Sequence, residues 1–186
     1  STSGNTTAYI YEQKNGGSGN AASSTYDQYN KTSYITAEQI TGMLDKGTNV
    51  TITSLDKNKV SSIEVDASLE TRYQGTDKAV ALQLNAQRDI AVNKEISATG
   101  KGKLDISLHS DTDGDAMGAV VINANINTNG GSFTSGSGAD LIDTKTKEVI
   151  TPGIQRGTVG TYFGTGASVL NTNGGDINLY GDVVIG

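Results

Sequence analysis

Two short stretches decide the fold of this chain: VALQL at residues 80–84 and LDISL at residues 104–108. In both stretches apolar side chains alternate with polar ones, which is the pattern of a β-strand with one buried face. The second stretch aligns with the first at an offset of 24 residues, and similar alternation recurs from Val50 to the end of the chain. Strand-like segments that repeat at such intervals predict an all-β parallel solenoid, in which each coil stacks on the previous one.

A turn sequence repeats as well. NTNGG at residues 127–131 recurs unchanged at 171–175, which is 44 residues later. Because 44 is twice 22, we expect two coils between the copies. Glycines allow the positive φ of tight turns, and stacked Asn side chains are expected to form hydrogen-bonded ladders. The alternative architecture is a β-sandwich, in which Asn129 and Gly130 would form a two-residue hairpin turn.

One helix is predicted at residues 36–46. Thr36 and Gln39 have the spacing of a capping box, and apolar side chains at 40, 43 and 44 share one face. Gly47 follows as a C-terminal signal. A short amphipathic helix in a strand-rich chain is typical of a capping or lateral element that covers a sheet edge.

The chain divides into two predicted parts. Residues 1–33 form a polar segment that contains Gly, Ser and Tyr, and residues 34–186 form the solenoid, with an insertion at about 139–160 that holds Pro152. The chain begins at Ser1 without Met and ends directly after a strand-like run, so we expect it to be a piece of a longer protein.

Composition excludes several classes of protein. Only 34% of residues are hydrophobic, with 24 Gly, one Pro and no Cys, so neither a thick core nor disulfides are expected to stabilise the fold. The net charge of −6 argues against nucleic-acid binding, which needs a basic surface. No apolar run reaches the length that spans a bilayer.

Residues suited to catalysis are few. His109, the single histidine, ends a strand-like run with the parity of an outward-facing position. Glu64, Asp66, Glu70 and Arg72 form the nearest charged cluster, and their even numbering places them together on one solvated strand face. We therefore predict no catalytic residues and no enzymatic activity.

The acidic stretch Asp111, Asp113 and Asp115 is the sharpest local signal. Three carboxylates at alternate positions in a turn are suited to a hard cation such as calcium. An EF-type loop would have Gly at its sixth position and Glu at its twelfth, where this chain has Ala116 and Ile122. The alternative interpretation is a solubilising turn, in which the Asp side chains cap their own backbone amides.

Several motifs resemble those of filamentous-haemagglutinin-like bacterial exoproteins. The motifs are ITAEQI at 35–40, LDKGTNVTI at 44–52, LQLNAQRDIAVN at 82–93, and the acidic run between 104 and 131. His109 stands where the family pattern has Asn. The resemblance covers about residues 33–138 and 165–186.

The resemblance implies a right-handed parallel β-helix within a large adhesin. Such proteins are exported by two-partner secretion through an outer-membrane barrel, and they lie at the bacterial cell surface or outside the cell. Their repetitive polar surface attaches to host or bacterial receptors or to glycans, often in virulence. Two further functions remain open on this scaffold, namely a carbohydrate-active enzyme and an extracellular filament subunit that associates end to end.

Overall fold

The computed structural model describes residues 6–11, 33–55, 61–139, 141–142, 145–146, 149–151, 159–164 and 168–186. Most of the N-terminal segment 1–33, and much of the predicted insertion including Pro152, lie outside these described residues. In chain order the elements are β1 (Thr6–Tyr11), β2 (Ser33–Thr36), α1 (Ala37–Asp45), β3 (Val50–Ser54), β4 (Ser61–Val65), β5 (Leu69–Thr71), β6 (Val80–Ala86), β7 (Ile90–Val92), β8 (Ile96–Ala98), β9 (Leu104–Ser110), β10 (Val120–Ile122), β11 (Ile126–Asn127), β12 (Phe133–Ser137), β13 (Leu141–Ile142), β14 (Val149–Thr151), β15 (Val159–Phe163), β16 (Leu170–Asn171), β17 (Ile177–Leu179) and β18 (Asp182–Ile185).

Three parallel sheets form the body of the protein. Sheet 1 has the order β18-β15-β10-β7-β4-β1-β2, sheet 2 the order β16-β11-β8-β5, and sheet 3 the order β17-β12-β9-β6-β3. From β3 onward the chain visits sheet 3, then sheet 1, then sheet 2, and we call one such passage a coil. In the described residues, β13 and β14 form the single antiparallel pair. The prediction of a mostly β chain with parallel sheets is therefore confirmed, and no hairpin of a sandwich joins the described strands of the three sheets.

The register follows the alternation of the sequence. β6 and β9 pair so that Leu82 lies beside Ile106, which is the predicted offset of 24 residues. Leu82 and Ile106 are buried, and so are Ile63 and Ile90 in sheet 1. From β4 to β12 the apolar set of each strand points inward between the sheets, because a strand alternates its side chains with a period of two. The core is therefore a narrow column of mostly aliphatic side chains in layers, which also contains Phe133.

The interpretation of the 44-residue repeat as two coils is wrong. Asn127 of β11 pairs directly with Asn171 of β16, so the two NTNGG turns lie on neighbouring coils. Other coils are shorter, since Ile63 pairs with Ile90 and Ile90 pairs with Val120. The extra length arises between β12 and β15, where the chain leaves the three sheets and forms the antiparallel pair β13–β14.

The helix α1 is confirmed with its capping box. Gln39 N donates to Thr36 Oγ1 over 3.1 Å, and Thr36 N donates to Gln39 Oε1 over 3.0 Å. Ile40 and Leu44 are buried, but Met43 is 38% exposed because it lies at the border of the apolar stripe. Asp45 Oδ1, at the end of α1, accepts hydrogen bonds from Thr71 Oγ1 of β5 and from Arg72 N. These bonds hold the helix against β5, the edge strand of sheet 2.

Part of the N-terminal segment belongs to the sheets. β1 lies between β2 and β4 in sheet 1, and Ile10 of β1 is fully buried. Ile10 pairs with Val65 on one side and Ile35 on the other. In the described part of the chain, no helix is long and apolar enough to cross a membrane.

Candidate metal centre

The acidic loop, which we define as residues 111–118, connects β9 of sheet 3 with β10 of sheet 1. Its backbone is held by the preceding coil, since Asp111 N donates to Arg88 O over 3.0 Å and Thr112 N donates to Ala86 O over 3.1 Å. Gly118 has a φ of +142°, and a Cβ there would collide with the carbonyl oxygen of Arg88. Only glycine allows the backbone at position 118 to come this close to Arg88 O, so the loop packs tightly against the turn between β6 and β7.

The following coil covers the other side of the acidic loop. Gly138 N donates to Ser110 O over 3.1 Å, and His109 Nε2 donates to Gly138 O over 2.6 Å. A Cβ at Gly114 would collide with the side chain of Ala139. The loop is thus enclosed by two coils. His109, which was predicted to face outward, is half-buried, and its ring forms a hydrogen bond with the next coil.

The structure brings the three predicted ligands together. One carboxylate oxygen from each of Asp111, Asp113 and Asp115 lies within 4.8 Å of the other two. Asp111 is only 2% exposed, Asp113 is half-buried and Asp115 is exposed. The cluster is therefore shielded from solvent at Asp111 and open to solvent at Asp115.

Backbone amides satisfy one oxygen of each carboxylate. Asp111 Oδ2 accepts from Ala116 N over 3.2 Å, and Asp115 Oδ1 accepts from Met117 N over 2.8 Å. Asp113 Oδ1 accepts a long bond of 3.5 Å from Asp115 N. Of the three remaining oxygens, Asp111 Oδ1 and Asp113 Oδ2 are buried and have no hydrogen-bond partner among the described residues. Self-capping, the alternative predicted from sequence, thus accounts for three of the six carboxylate oxygens.

The electrostatics of the cluster disfavour three negative charges. Burial, and then the neighbouring carboxyls of Asp113 and Asp115, raises the pKa of Asp111 to about 7. A carboxyl with such a pKa shares a proton with its neighbours or is neutralised by a cation. An all-oxygen ligand set is suited to hard cations such as Ca²⁺ or Mg²⁺.

The site differs from an EF-hand loop. Ile122, at the twelfth position, is buried in β10 and offers no ligand. Ala116, at the sixth position, nevertheless has a φ of +66°, the left-handed conformation that glycine supplies in EF-hands. The backbone turn is thus present without the glycine, and water on the exposed side of Asp115 would supply the remaining ligands.

The prediction that Glu64, Asp66, Glu70 and Arg72 lie together on one strand face is wrong. Glu64 lies on β4 in sheet 1 and Asp66 directly follows that strand, whereas Glu70 lies on β5 in sheet 2. The alternation of burial continues through the corner at Ala67, so parity alone does not reveal the change of sheet. Burial, then the neighbouring Asp66, raises the pKa of Glu64, while Glu70 contacts Arg72 over 3.6 Å at the exposed surface.

A groove on the outer face of sheet 1 was not anticipated from the sequence. It has a volume of about 310 Å³ and is lined by Glu64, Arg88, Asp89, Ala91 and Val121, among others. The small side chain of Ala91 lies in register between Glu64 and Val121 and leaves the space open. The signal in the sequence is an alanine at an outward position, which has this meaning only once the register is known.

Comparisons with protein-family models, with curated proteins and with solved structures each find no match to this chain. The fold and the candidate site are therefore defined by the chain's own residues. The class that they define is a mostly β protein of stacked parallel sheets, with an oxygen-lined acidic loop between two coils.

Proposed function

We propose that this chain is a non-enzymatic segment of a large exported bacterial surface protein, whose three sheets form a right-handed parallel β-helix that serves in attachment. The observation that carries the proposal is the fixed rotation of the chain through sheets 3, 1 and 2. Parallel connections within one sheet are right-handed in about 98% of cases, which supports the handedness. A rod of this kind presents long outer faces to its surroundings.

The outer face of sheet 3 supports the adhesive part of the proposal. Register places one row of neutral polar side chains along it, one from each strand: Thr51, Gln83, Ser107, Thr134 and Asn178. Neighbouring strands lie about 4.8 Å apart, so the row offers hydroxyl and amide groups at a regular spacing. Such groups suit hydrogen bonding to the hydroxyls of a glycan or to a polar receptor. Each contact is weak, and many copies acting together give avidity.

The location of the parent protein follows from the resemblance. Filamentous-haemagglutinin-like motifs at 35–52 and 82–93 favour export through an outer-membrane barrel and a place at the cell surface or outside the cell. The absence of Cys and the net charge of −6 are compatible with that setting.

Two observations favour other functions on the same scaffold. The groove beside Glu64, whose pKa is raised, favours a carbohydrate-active enzyme. The apolar side chains of Val183, Val184 and Ile185 are exposed on the edge strand β18, which favours end-to-end association into filaments. The division of the charged residues Glu64 and Glu70 between two sheets supports the non-enzymatic proposal, because it separates the two carboxylates.

The test compares attachment with turnover. Beads that display many copies of the chain are applied to a glycan array and to cell surfaces, beside single copies and a panel of polysaccharide substrates. We expect bead retention to exceed that of single copies at least tenfold, with no substrate consumed. Gln83→Ala with Thr134→Ala should weaken retention, whereas the control Thr48→Ala with Thr76→Ala, at exposed positions outside the row, should not.

Either of two results would reject the proposal. Turnover of a polysaccharide that disappears in Glu64→Gln would establish the enzyme. Equal retention of coated and bare beads on every surface would leave the chain without an attachment role. An apparent molar mass from light scattering that grows with protein concentration would favour the filament.

A further inference from the structure

We propose that the acidic loop binds one Ca²⁺ ion through Asp111, Asp113 and Asp115, and that the ion fastens the loop between the coils on either side. Such a site is independent of the adhesive function. The cluster of carboxylates at the loop would by itself be an ordinary solvated turn.

A second observation points to a ligand. Asp111 is 98% buried, and its Oδ1 atom, like Asp113 Oδ2, has no hydrogen-bond partner in the described structure. A buried carboxylate oxygen without a partner is costly, because it has lost its water and gained nothing in exchange. These two atoms belong to side chains whose other oxygens are already held by backbone amides. Asp111 is therefore anchored through its Oδ2 atom, and one carboxylate oxygen from each of the three Asp residues lies within 4.8 Å of the other two.

The dimensions of the cluster fit calcium. Two oxygens on opposite sides of a calcium ion lie about 4.8 Å apart when each is about 2.4 Å from the metal. The three ligand atoms lie within 4.8 Å of one another, so they can surround one such ion. Magnesium needs distances of about 2.0–2.1 Å and strict octahedral geometry, which a cluster with one buried and one exposed carboxylate meets less readily. Water at Asp115 completes the shell on the open side.

The contacts of the loop indicate what the ion does. Asp111 N and Thr112 N hold the turn of the previous coil, and Gly114 contacts Ala139 of the next coil. Ala139 lies where the chain begins to leave the three sheets. An ion that fixes Asp111 and Asp113 therefore also fixes the segment from which the antiparallel pair β13–β14 projects.

The experiment uses the full chain after dialysis against a chelator. Calcium chloride is titrated in a calorimeter at pH 7.5, and the melting temperature is recorded with and without 10 mM calcium. We expect one ion per chain, with a Kd on the order of 10⁻⁴ M as for extracellular modules. At about 100 times Kd the melting temperature should rise by about 5–10 °C. Magnesium chloride in the same titration should bind at least tenfold more weakly.

Two variants and one control make the test specific. Asp111→Asn and Asp113→Asn should each weaken calcium binding at least tenfold and abolish the rise in melting temperature. Asp77→Asn, which removes one exposed acid elsewhere, should leave both unchanged. The proposal is overturned if calcium produces neither a heat of binding nor a rise in the melting temperature of the wild type. That result is expected if the carboxyls share a proton and bind no ion. It is also overturned if the rise persists in Asp111→Asn and Asp113→Asn, or if magnesium binds as tightly as calcium.

Discussion

The NTNGG turn at 127–131 and the acidic loop at 111–118 both carry the chain from one sheet to the next, and both use left-handed residues to do so. Asn129 has a φ of +52° and Asp111 a φ of +48°. In the turn, Asn127 Oδ1 accepts from Asn129 N, and Thr128 Oγ1 donates to Gly131 O over 2.7 Å. In the acidic loop, two carboxylate oxygens stay buried without a partner.

The second copy of the turn makes the difference clearer. Thr172 Oγ1 donates to Gly175 O over 2.7 Å and Asn173 N donates to Asn171 Oδ1 over 3.0 Å, which reproduces the bonds of the first copy. The first copy also bonds to the preceding coil, where Asn129 Nδ2 donates to Gly100 O and Gly102 O. A turn whose polar groups are satisfied by the protein itself can be repeated on successive coils without any other component. The acidic loop lacks that property, and this lack is what indicates a ligand.

The largest effect is expected from the core that supports both segments. Ile106 is 1% exposed and lies between Leu82 and Phe133 on the neighbouring coils. Ile106→Asp would bury an unpaired charge in a narrow layer and should abolish cooperative thermal unfolding. Far-UV circular dichroism monitors the unfolding. The control Ser107→Asp, on the outer face of the same strand, should melt cooperatively. A normal melt of Ile106→Asp would show that the register is wrong.

The next largest effect tests how tightly the first turn is stacked. A Cβ at Gly131 would collide with the backbone of Leu104, whereas a Cβ at Gly174 meets no described atom within 4 Å. Gly131→Ala should therefore lower the free energy of unfolding by roughly 3 kcal/mol. Gly174→Ala should lower the free energy of unfolding by only about 1 kcal/mol, because alanine is disfavoured at the φ of +96° of this residue. Urea titration measures both, and equal losses would contradict the close packing of the first turn on Leu104 of the preceding coil.

The acidic loop, unlike the turn, should make stability depend on pH. Without metal, the pKa of Asp111 is raised from 3.8 to about 7, so the folded state binds this proton more strongly than the unfolded state does. The contribution is fully present below about pH 4 and is lost as the pH rises to 7 and above. We expect the stability of the wild type relative to Asp111→Asn to fall between pH 5 and pH 8 in a chelator.

Urea unfolding at the two pH values provides the measurement for that prediction. Asn129→Ala, in the turn, should show the same pH dependence as the wild type, because the turn contains no titrating group. A constant difference between wild type and Asp111→Asn would show that the carboxyl is not perturbed.

The smallest effect concerns an exposed ladder of side chains at the corner after β4, β7 and β10. Asn123 Nδ2 donates to Asn93 Oδ1 over 3.0 Å, and Asn93 Nδ2 donates to Asp66 Oδ1 over 3.0 Å. Asn123→Ala should cost about 0.5–1 kcal/mol, since each bond is partly exposed. A double-mutant cycle with Asn93→Ala should give a coupling of similar size, and strict additivity would mean that the ladder contributes nothing.

The sequence was sufficient where a local pattern determines the structure. Alternation predicted the pairing of Leu82 with Ile106, and the capping spacing of Thr36 and Gln39 predicted α1. It was insufficient where distant segments decide. The place of the Asn ladder, at Asn93 and Asn123 rather than within the NTNGG turns, depends on which corners superimpose.

The same limit applies to coil length and to the candidate site. A spacing of 44 residues does not reveal whether the chain makes two coils or one coil with an insertion between β12 and β15. The three Asp residues were evident from their spacing, but the burial of Asp111 depends on Arg88 in the previous coil. Parity likewise assigned Glu70 to the face of Glu64, because a corner between sheets leaves the alternation intact.

Hydrogen exchange of the native protein, followed by mass spectrometry with and without calcium, tests the central difference most directly. The account predicts that calcium slows exchange in residues 111–118 and 138–139, since the ion supplies the partners that Asp111 and Asp113 lack. It predicts unchanged exchange in the turn at 127–131, whose bonds are complete. Identical exchange of the acidic loop in both conditions, or the same slowing in the turn as in the loop, would contradict it.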